Sequence, residues 1–217
     1  MPQFDTGEVG KYINSPETPI FQKSRILYGY SKAKNAIRDA AFAFMVEGQM
    51  DMIMTWQSGV KNVIATSGTA LTPDHLQALR RLTDKLVLSF DNDSAGYAAL
   101  ERGIDLAETM DFGVKVAVVE GYNDAAEAVV ADPTYIAKMI ERAKPAPQFY
   151  FDRYLPAGIG DSRDREYLTK LRKILAKLKS IASAVERSAW LKNLASLTGL
   201  SESNLIEEME KIEESTA

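Results

Sequence analysis

The sequence contains no cysteine and a single histidine, His75. Without cysteine the chain can form neither a disulfide nor a thiolate zinc ribbon, so no zinc site is expected in it, and one histidine leaves little for a histidine-based metal centre. A cation bound here would have to be held by oxygen. Long hydrophobic runs are missing too: no stretch approaches the roughly 20 apolar residues needed to span a bilayer. The opening residues, MPQFDTGEVG, have neither the basic nor the apolar region of a secretory signal. A cytoplasmic protein with no membrane partner is the expectation.

A large excess of either charge is also lacking, since 26 basic and 30 acidic side chains leave a net charge of −4. That balance argues against nonspecific coating of DNA. The distribution is uneven, however. Residues 1–41 carry six basic and four acidic groups, residues 42–132 six and fourteen, and residues 133–217 fourteen and twelve. The acidity is concentrated in the middle of a chain that, at 217 residues and 46% hydrophobic, can bury a core in one or two domains.

Within that acidic middle the pattern alternates. FAFMV (42–46), NVIAT (62–66), LVLSF (86–90) and VKVAVV (114–119) are short runs rich in β-branched and aromatic residues, of strand length. Helix-length segments separate them at 49–58, at 73–83 with Thr72 as N-cap and Pro73 in the first turn, and at 95–110. Strands alternating with helices predict an α/β fold with a mostly parallel sheet, and continuous apolar runs suit strands buried on both faces. Before this region, Pro16 and Pro19 favour an extended path, a short helix is expected near Lys23–Tyr28, and Ser31 can cap another through Arg38. After it, KPAPQF (144–149) reads as a boundary, with helices only beyond it. Over 164–182, Leu168, Leu171, Leu175, Leu178 and Ala182 recur at three- and four-residue spacing, Gly199 can end the next helix, and Ser201 can cap the last.

The stretch SFDNDSAG (89–96) carries the chemistry of most interest. In extended chain, residues i and i+2 project to one side, so Asp91 and Asp93 can point together just past the strand 86–90. Glu47 ends the strand 42–46 in the same way, and Asp124 follows the strand 114–119. With parallel strands all four acids gather at the C-terminal edge of the sheet, where open α/β sheets place their ligands. Like charges held together favour a divalent cation or a basic partner, and Mg²⁺ suits a few carboxylates shared with substrate phosphates. Taken singly each acid has a plainer reading, since a DxD ahead of a helix is commonly a cap and Asp124 can simply cap the helix through Val130.

MVEGQMD, ATSGTALTPDHLQALRR and LVLSFDNDSAG, in that order and approximate spacing, resemble the TOPRIM module of bacterial-type DNA primases. The upstream segment KYINSPETPIFQKSRILYG resembles the part of the primase core that leads into that module, and NLASLTGLSESNL is similar to its closing helical subdomain. The resemblance implies a TOPRIM-like, mostly parallel sheet flanked by helices and followed by a C-terminal helical subdomain. Residues 1–41 would end the basic N-terminal subdomain of the core, 42–143 form the TOPRIM domain, and 144–217 the helical one. It implies an enzyme that synthesises short RNA primers on single-stranded DNA from ribonucleoside triphosphates. Glu47, Asp91 and Asp93 would be catalytic and, with Asp124, ligands of Mg²⁺ or Mn²⁺. Lys11 and Lys23 match basic positions used near nucleotide and template.

Ser67, Gly68 and Thr69 form a small-residue loop whose backbone N–H groups suit a phosphate, although a plain turn explains them nearly as well. Asn92 stands where primases more often have glycine, and Asn123 and Ala126 depart from the family pattern beside Asp124. No zinc module or helicase-binding domain is recognisable, so the chain reads as a fragment of a larger enzyme that would meet the replicative helicase through a domain absent here. Two other readings remain open: a TOPRIM-type metal-dependent nuclease, and a noncatalytic nucleotide-binding module.

Overall fold

The computed structural model describes residues 15–19, 21–156, 160–161 and 163–212. The chain divides into two compact units, one of Met1–Gly113 and Ala117–Glu141, the other of Val114–Val116 and Arg142–Ala217.

The first unit is built on three parallel strands, β1 (Ala43–Val46), β2 (Val63–Ala65) and β3 (Lys85–Leu88). β1 is central, with Phe44 opposite Val63 of β2 and Val87 of β3. Every residue of β1 and β2 is buried, as are Leu86, Val87 and Leu88. Burial on both faces is why these strands read as unbroken apolar runs. The helices around them are α1 (Tyr30–Ala40), α2 (Gln49–Gln57), α3 (Pro73–Arg80), α4 (Ser94–Thr109), α5 (Ala125–Ala131) and α6 (Tyr135–Glu141). Each buries its own stripe, for example Ala33 and Ile37 of α1, Leu76 and Leu79 of α3, and Leu100 and Ile104 of α4. Thr72 caps α3 as its sequence predicts, its hydroxyl accepting the His75 N–H at 3.2 Å, with Pro73 in the first turn.

Strands β4 (Gly113–Val116) and β5 (Lys144–Pro145) complete a sheet of order β2-β1-β3-β4-β5. β5 runs antiparallel to β4, with Lys115 opposite Pro145. The sheet is therefore mixed but mostly parallel, as expected, and its antiparallel edge falls where strands were expected to have stopped. The prolines at this boundary open a helix instead of interrupting one: Pro145 is the N-cap of α7 (Ala146–Tyr154) and Pro147 lies in its first turn. Proline is tolerated there because the first-turn N–H groups have no partner within the helix.

In the second unit α7 is followed by α8 (Arg165–Lys179), α9 (Ala184–Thr198) and α10 (Glu202–Glu210). Asp164, Ser183 and Ser201 cap the last three with their side chains, and Gly199 ends α9 at φ 71°. The repeat read in 164–182 does place Leu171, Leu175 and Leu178 in the core, joined by Ile174, Phe151, Leu194 and Leu205. Phe151 and Trp190 meet edge to face at 5.9 Å.

Two local expectations fail. Ser31 does not cap α1, which already begins at Tyr30 behind Gly29 (φ 82°), without a side-chain cap bond. In place of a helix over Lys23–Tyr28 there is a single 3-10 turn, Lys23–Arg25, after which Tyr28 pairs with Ala65 through two backbone hydrogen bonds of 2.9 and 3.1 Å. The edge of β2 offered Tyr28 unpaired donors and acceptors, and that partner outweighed helical propensity. No helix among the described residues is long and apolar enough to cross a membrane.

Candidate metal centre

Because β1 and β3 are parallel neighbours, the residues that leave their C-terminal ends emerge side by side. Glu47 follows β1 directly, and Asp91 follows β3 after Ser89 and Phe90. Glu47 is half-buried: burial raises its pKa, a backbone hydrogen bond from Asp91 offsets part of that, and the charges of Asp93 and Asp51 add to the rise. Its Oε2 is buried with no hydrogen-bond partner. Asp91 is pushed up from 3.8 to about 7, first by desolvation and then by the charges of Glu47, Asp51, Asp124 and Asp93. The structure thus gathers in one electrostatic neighbourhood all four acids singled out from the sequence.

Asp93 and Asp124 are also helix caps, as their plainer reading held. Asp93 Oδ1 accepts the Gly96 N–H at 2.7 Å at the start of α4, and Asp124 Oδ1 accepts the Glu127 N–H at 2.7 Å at the start of α5. The two roles are compatible, because a carboxylate has two oxygens and a cap occupies one. Their loops are tied together by the Asn92 N–H, which donates to the Asn123 carbonyl at 3.2 Å. Asn92 does not have a positive φ, so glycine is not required there, and its side chain accepts from the Tyr97 hydroxyl at 2.8 Å. Asn123 donates through backbone and side chain to Glu127 Oε2 at 2.9 and 2.8 Å.

A fifth acid was not picked out from the sequence. Asp51, on the first turn of α2, is only 7% exposed. Its Oδ2 accepts the Gly48 N–H at 3.1 Å and its Oδ1 the Ala126 N–H at 3.0 Å, bridging the end of β1 to α5 across 75 positions. Desolvation raises its pKa, and Asp124 adds to the rise. The available signal was its place three residues after Gly48, where a carboxylate can close a capping box. Gly96 is the other missed residue. A Cβ there would lie 2.2 Å from the Asp91 carbonyl oxygen, so only glycine lets α4 start against the Asp91 turn.

The loop after β2 supports the same edge. Ser67 (φ 61°) and Gly68 (φ 79°) are both left-handed, the Ser67 N–H donates to the Glu47 carbonyl at 3.0 Å, and Gln49 Nε2 reaches Ser67 Oγ at 2.6 Å. Lys23 sits half-exposed on the 3-10 turn. Lys11 lies outside the described residues. His75 is buried, its pKa lowered chiefly by desolvation, and it donates to a main-chain carbonyl.

Among the described residues, no three His, Cys, Asp or Glu side chains form a ready-made metal cage. The donor set still fits a hard divalent cation: it is all oxygen, electrostatically strained, and includes an orphaned buried Glu47 oxygen. Mg²⁺ commonly takes only one or two carboxylates and completes its shell with water and substrate phosphates, so a full protein cage is not required.

Comparison with known proteins agrees with this geometry. Residues 44–129 match the Toprim-like family, which implies divalent-cation binding, and residues 3–34 match the N-terminal domain of the DNA primase catalytic core. The DNA primase of Halalkalibacterium halodurans is 32% identical over 204 residues, covering 93% of this chain and 34% of its own length. A DNA primase domain from Pseudomonas aeruginosa superposes with a TM-score of 0.74 at 29% identity, over 94% of this chain and 64% of that one. The DnaG primase catalytic domain bound to single-stranded DNA gives 0.74 at 25% identity, over 92% and 64%. The chain spans about a third of the length of the curated primase it matches. On these matches and this fold, the chain belongs to the bacterial DnaG-type DNA primases and corresponds to part of their catalytic core, including its Toprim-like domain.

Proposed function

We propose that this chain carries the nucleotidyl-transfer site with which a primase extends an RNA primer on single-stranded DNA. The observation that carries the reading is the clustering of Glu47 and Asp91 at the ends of two adjacent parallel strands, with Asp91 raised to about 7 by burial and the neighbouring carboxylates. Glu47, Asp91 and Asp93 are the proposed catalytic carboxylates, and together with Asp124 they would hold Mg²⁺ or Mn²⁺. Bound there, the cation would lower the pKa of a primer 3′-hydroxyl and offset charge developing on the α-phosphate. The reaction is attack of that hydroxyl on the α-phosphate of an incoming ribonucleoside triphosphate, with pyrophosphate leaving.

The chain's own residues prepare the site. Asp91 and Glu47 present oxygens at an edge too poorly solvated to screen them. Asp51 and the Asn92–Asn123 bond hold the three loops in register. Lys23 and Lys11 are proposed to bind nucleotide or template phosphate as compact cations. Single-stranded DNA is the proposed template, supported by the single-stranded DNA bound to a related catalytic domain. Contact with the replicative helicase, through a domain other than those described, and a cytoplasmic location follow from the same reading. Residues 1–41, 42–143 and 144–217 are the proposed functional divisions.

The test is one gel with labelled ribonucleotides and single-stranded DNA in Mg²⁺ or Mn²⁺, beside Asp91→Asn and Asp93→Asn. Metal-dependent oligoribonucleotides that vanish in both variants are expected. Shortened template without synthesis would assign the same carboxylates to a nuclease and overturn the primase reading.

A further inference from the structure

Lys23 lies in a stretch with little regular structure of its own, a three-residue 3-10 turn with no side-chain cap. Such a segment takes its conformation from contacts made elsewhere. On one side Tyr28 is fixed to Ala65 at the end of β2 by a reciprocal pair of backbone hydrogen bonds. On the other, the first turn of α3 makes a series of contacts to successive residues. His75 Nε2 lies 3.0 Å from the Lys23 carbonyl oxygen. A carbonyl can only accept, so Nε2 carries the proton and the ring donates. The Thr72 hydroxyl donates to the Ser24 carbonyl at 2.6 Å while accepting the His75 N–H. Arg25 faces Asp74 at 3.6 Å, an exposed pair that adds little.

His75 is 0% exposed. An apolar side chain would fill such a position without carrying a polar ring into the core. The imidazole instead donates to the main chain of this segment, its Nε2 lying 3.0 Å from the carbonyl of the residue whose ammonium is read as a phosphate ligand, with the Ile26 main chain as a second hydrogen-bond partner. A lysine reaches its target on a flexible four-carbon stem, so the protein controls it mainly by fixing where its Cα–Cβ bond points. Anchoring the Lys23 carbonyl does that, and reduces the ordering cost of each phosphate contact.

We propose that His75, seconded by Thr72, is a positioning residue that aims the Lys23 side chain at a phosphate group. The proposal rests on the reading of Lys23 as a phosphate ligand. The phosphate belongs either to the DNA strand or to the incoming nucleotide.

The experiment measures affinity for a fluorescein-labelled oligothymidylate across a salt series and, separately, for a labelled ribonucleoside triphosphate. The proteins are the parent, Lys23→Ala, His75→Leu, His75→Gln and the Lys23→Ala/His75→Leu double variant, each with its melting temperature recorded. Lys23→Ala is expected to weaken one of the two ligands, which identifies the source of the phosphate. If that is the oligonucleotide, its salt slope should fall by about 0.7, the value for one phosphate contact on a single strand. His75→Leu should weaken the same ligand several-fold, and His75→Gln, whose Nε2 can reproduce the donor, should recover most of that loss. The double variant should bind no worse than Lys23→Ala, because an anchor has nothing to place once the lysine is gone. Should His75→Leu prove unfolded, Thr72→Val carries the same comparison with Thr72→Ser as the rescuing variant. Parental affinity in a folded His75→Leu, or a loss fully additive with Lys23→Ala, overturns the proposal and leaves the reading of Lys23 intact. Parental affinity for both ligands in Lys23→Ala overturns the two together.

Discussion

Both units pair charges on their surfaces, but only one of them also gathers unpaired carboxylates at an edge. In the helical unit acids lie on the surface opposite basic partners, as in Glu166 with Lys170 at 2.7 Å and Glu208 with Arg172 at 2.6 Å, and the interior is left to leucine and aromatic side chains. In the Toprim-like unit Glu47, Asp51 and Asp91 are partly withdrawn from water and face one another, so that each raises its neighbours' pKa or has its own raised. An isolated fold gains nothing from such an arrangement, which costs stability until a cation or other positive charge arrives. The difference therefore separates a unit organised for packing from one that gives up stability at its functional edge.

If that contrast is right, the largest stability loss comes from the packed unit. Leu175 is fully buried on α8. Leu175→Ala should cost about 3 kcal/mol in urea unfolding through lost burial and the cavity left behind. The titration of Asp91, followed by NMR, should stay near 7 in this variant. A displaced Asp91 titration would show that the site depends on the helical core and would break the comparison.

The next effect tests whether the carboxylate edge tolerates any backbone adjustment. Gly96 lies in the first turn of α4, where alanine would ordinarily favour the helix. Here a Cβ would meet the Asp91 carbonyl oxygen at 2.2 Å and its carbonyl carbon at 2.9 Å. Backbone cannot rotate away as a side chain can, so Gly96→Ala should destabilise by about 2 kcal/mol, within the range for strained backbone positions. Primer synthesis should fall on the order of a hundredfold, since small displacements of reacting groups are that costly. Retained synthesis would mean that the Asp91 turn is not held by its contact with α4.

Much of this edge is legible in the sequence for physical reasons. A parallel strand buried on both faces has to be a continuous apolar run, so FAFMV, NVIAT and LVLSF announce their strands. The acids that follow such runs then share an edge by topology alone. What is hidden depends on distant partners. The segment Lys23–Tyr28 has helical composition, but Tyr28 finds the edge of β2 nearly forty residues ahead. β5 is two residues long and contains proline, so neither length nor periodicity can mark it. Asp51 sits in MVEGQMD beside Glu47, yet its burial comes from α5, and only the fold brings the Ala126 N–H to its carboxylate.

A smaller effect, of opposite sign, tests the stability given up at the edge. The folded-state pKa of Asp91 lies above its unfolded value, so the stability this group contributes is full below pH 3.8 and is lost as pH rises through about 7. Above pH 7, without divalent cation, Asp91→Asn should melt a few degrees higher than the parent, and the gap should close on acidification towards pH 4. Added Mg²⁺ should stabilise the parent by binding its folded state and narrow the same gap. A variant that melts below the parent at every pH would mean that the Asp91 carboxylate is satisfied where it stands.

The smallest expected effect belongs to the surface of the helical unit, where Lys170 and Glu166 pair across one turn of α8. Both side chains are largely exposed, at 43% and 74%. Water already solvates each partner well, and holding two flexible chains together costs entropy that nearly cancels the attraction. Lys170→Ala should therefore leave the melting temperature unchanged within error at physiological salt. A clear drop would show that charges in this unit also sustain its fold, and the contrast with the carboxylate edge would then be one of sign alone: compensated charge on the helical surface, uncompensated charge at that edge.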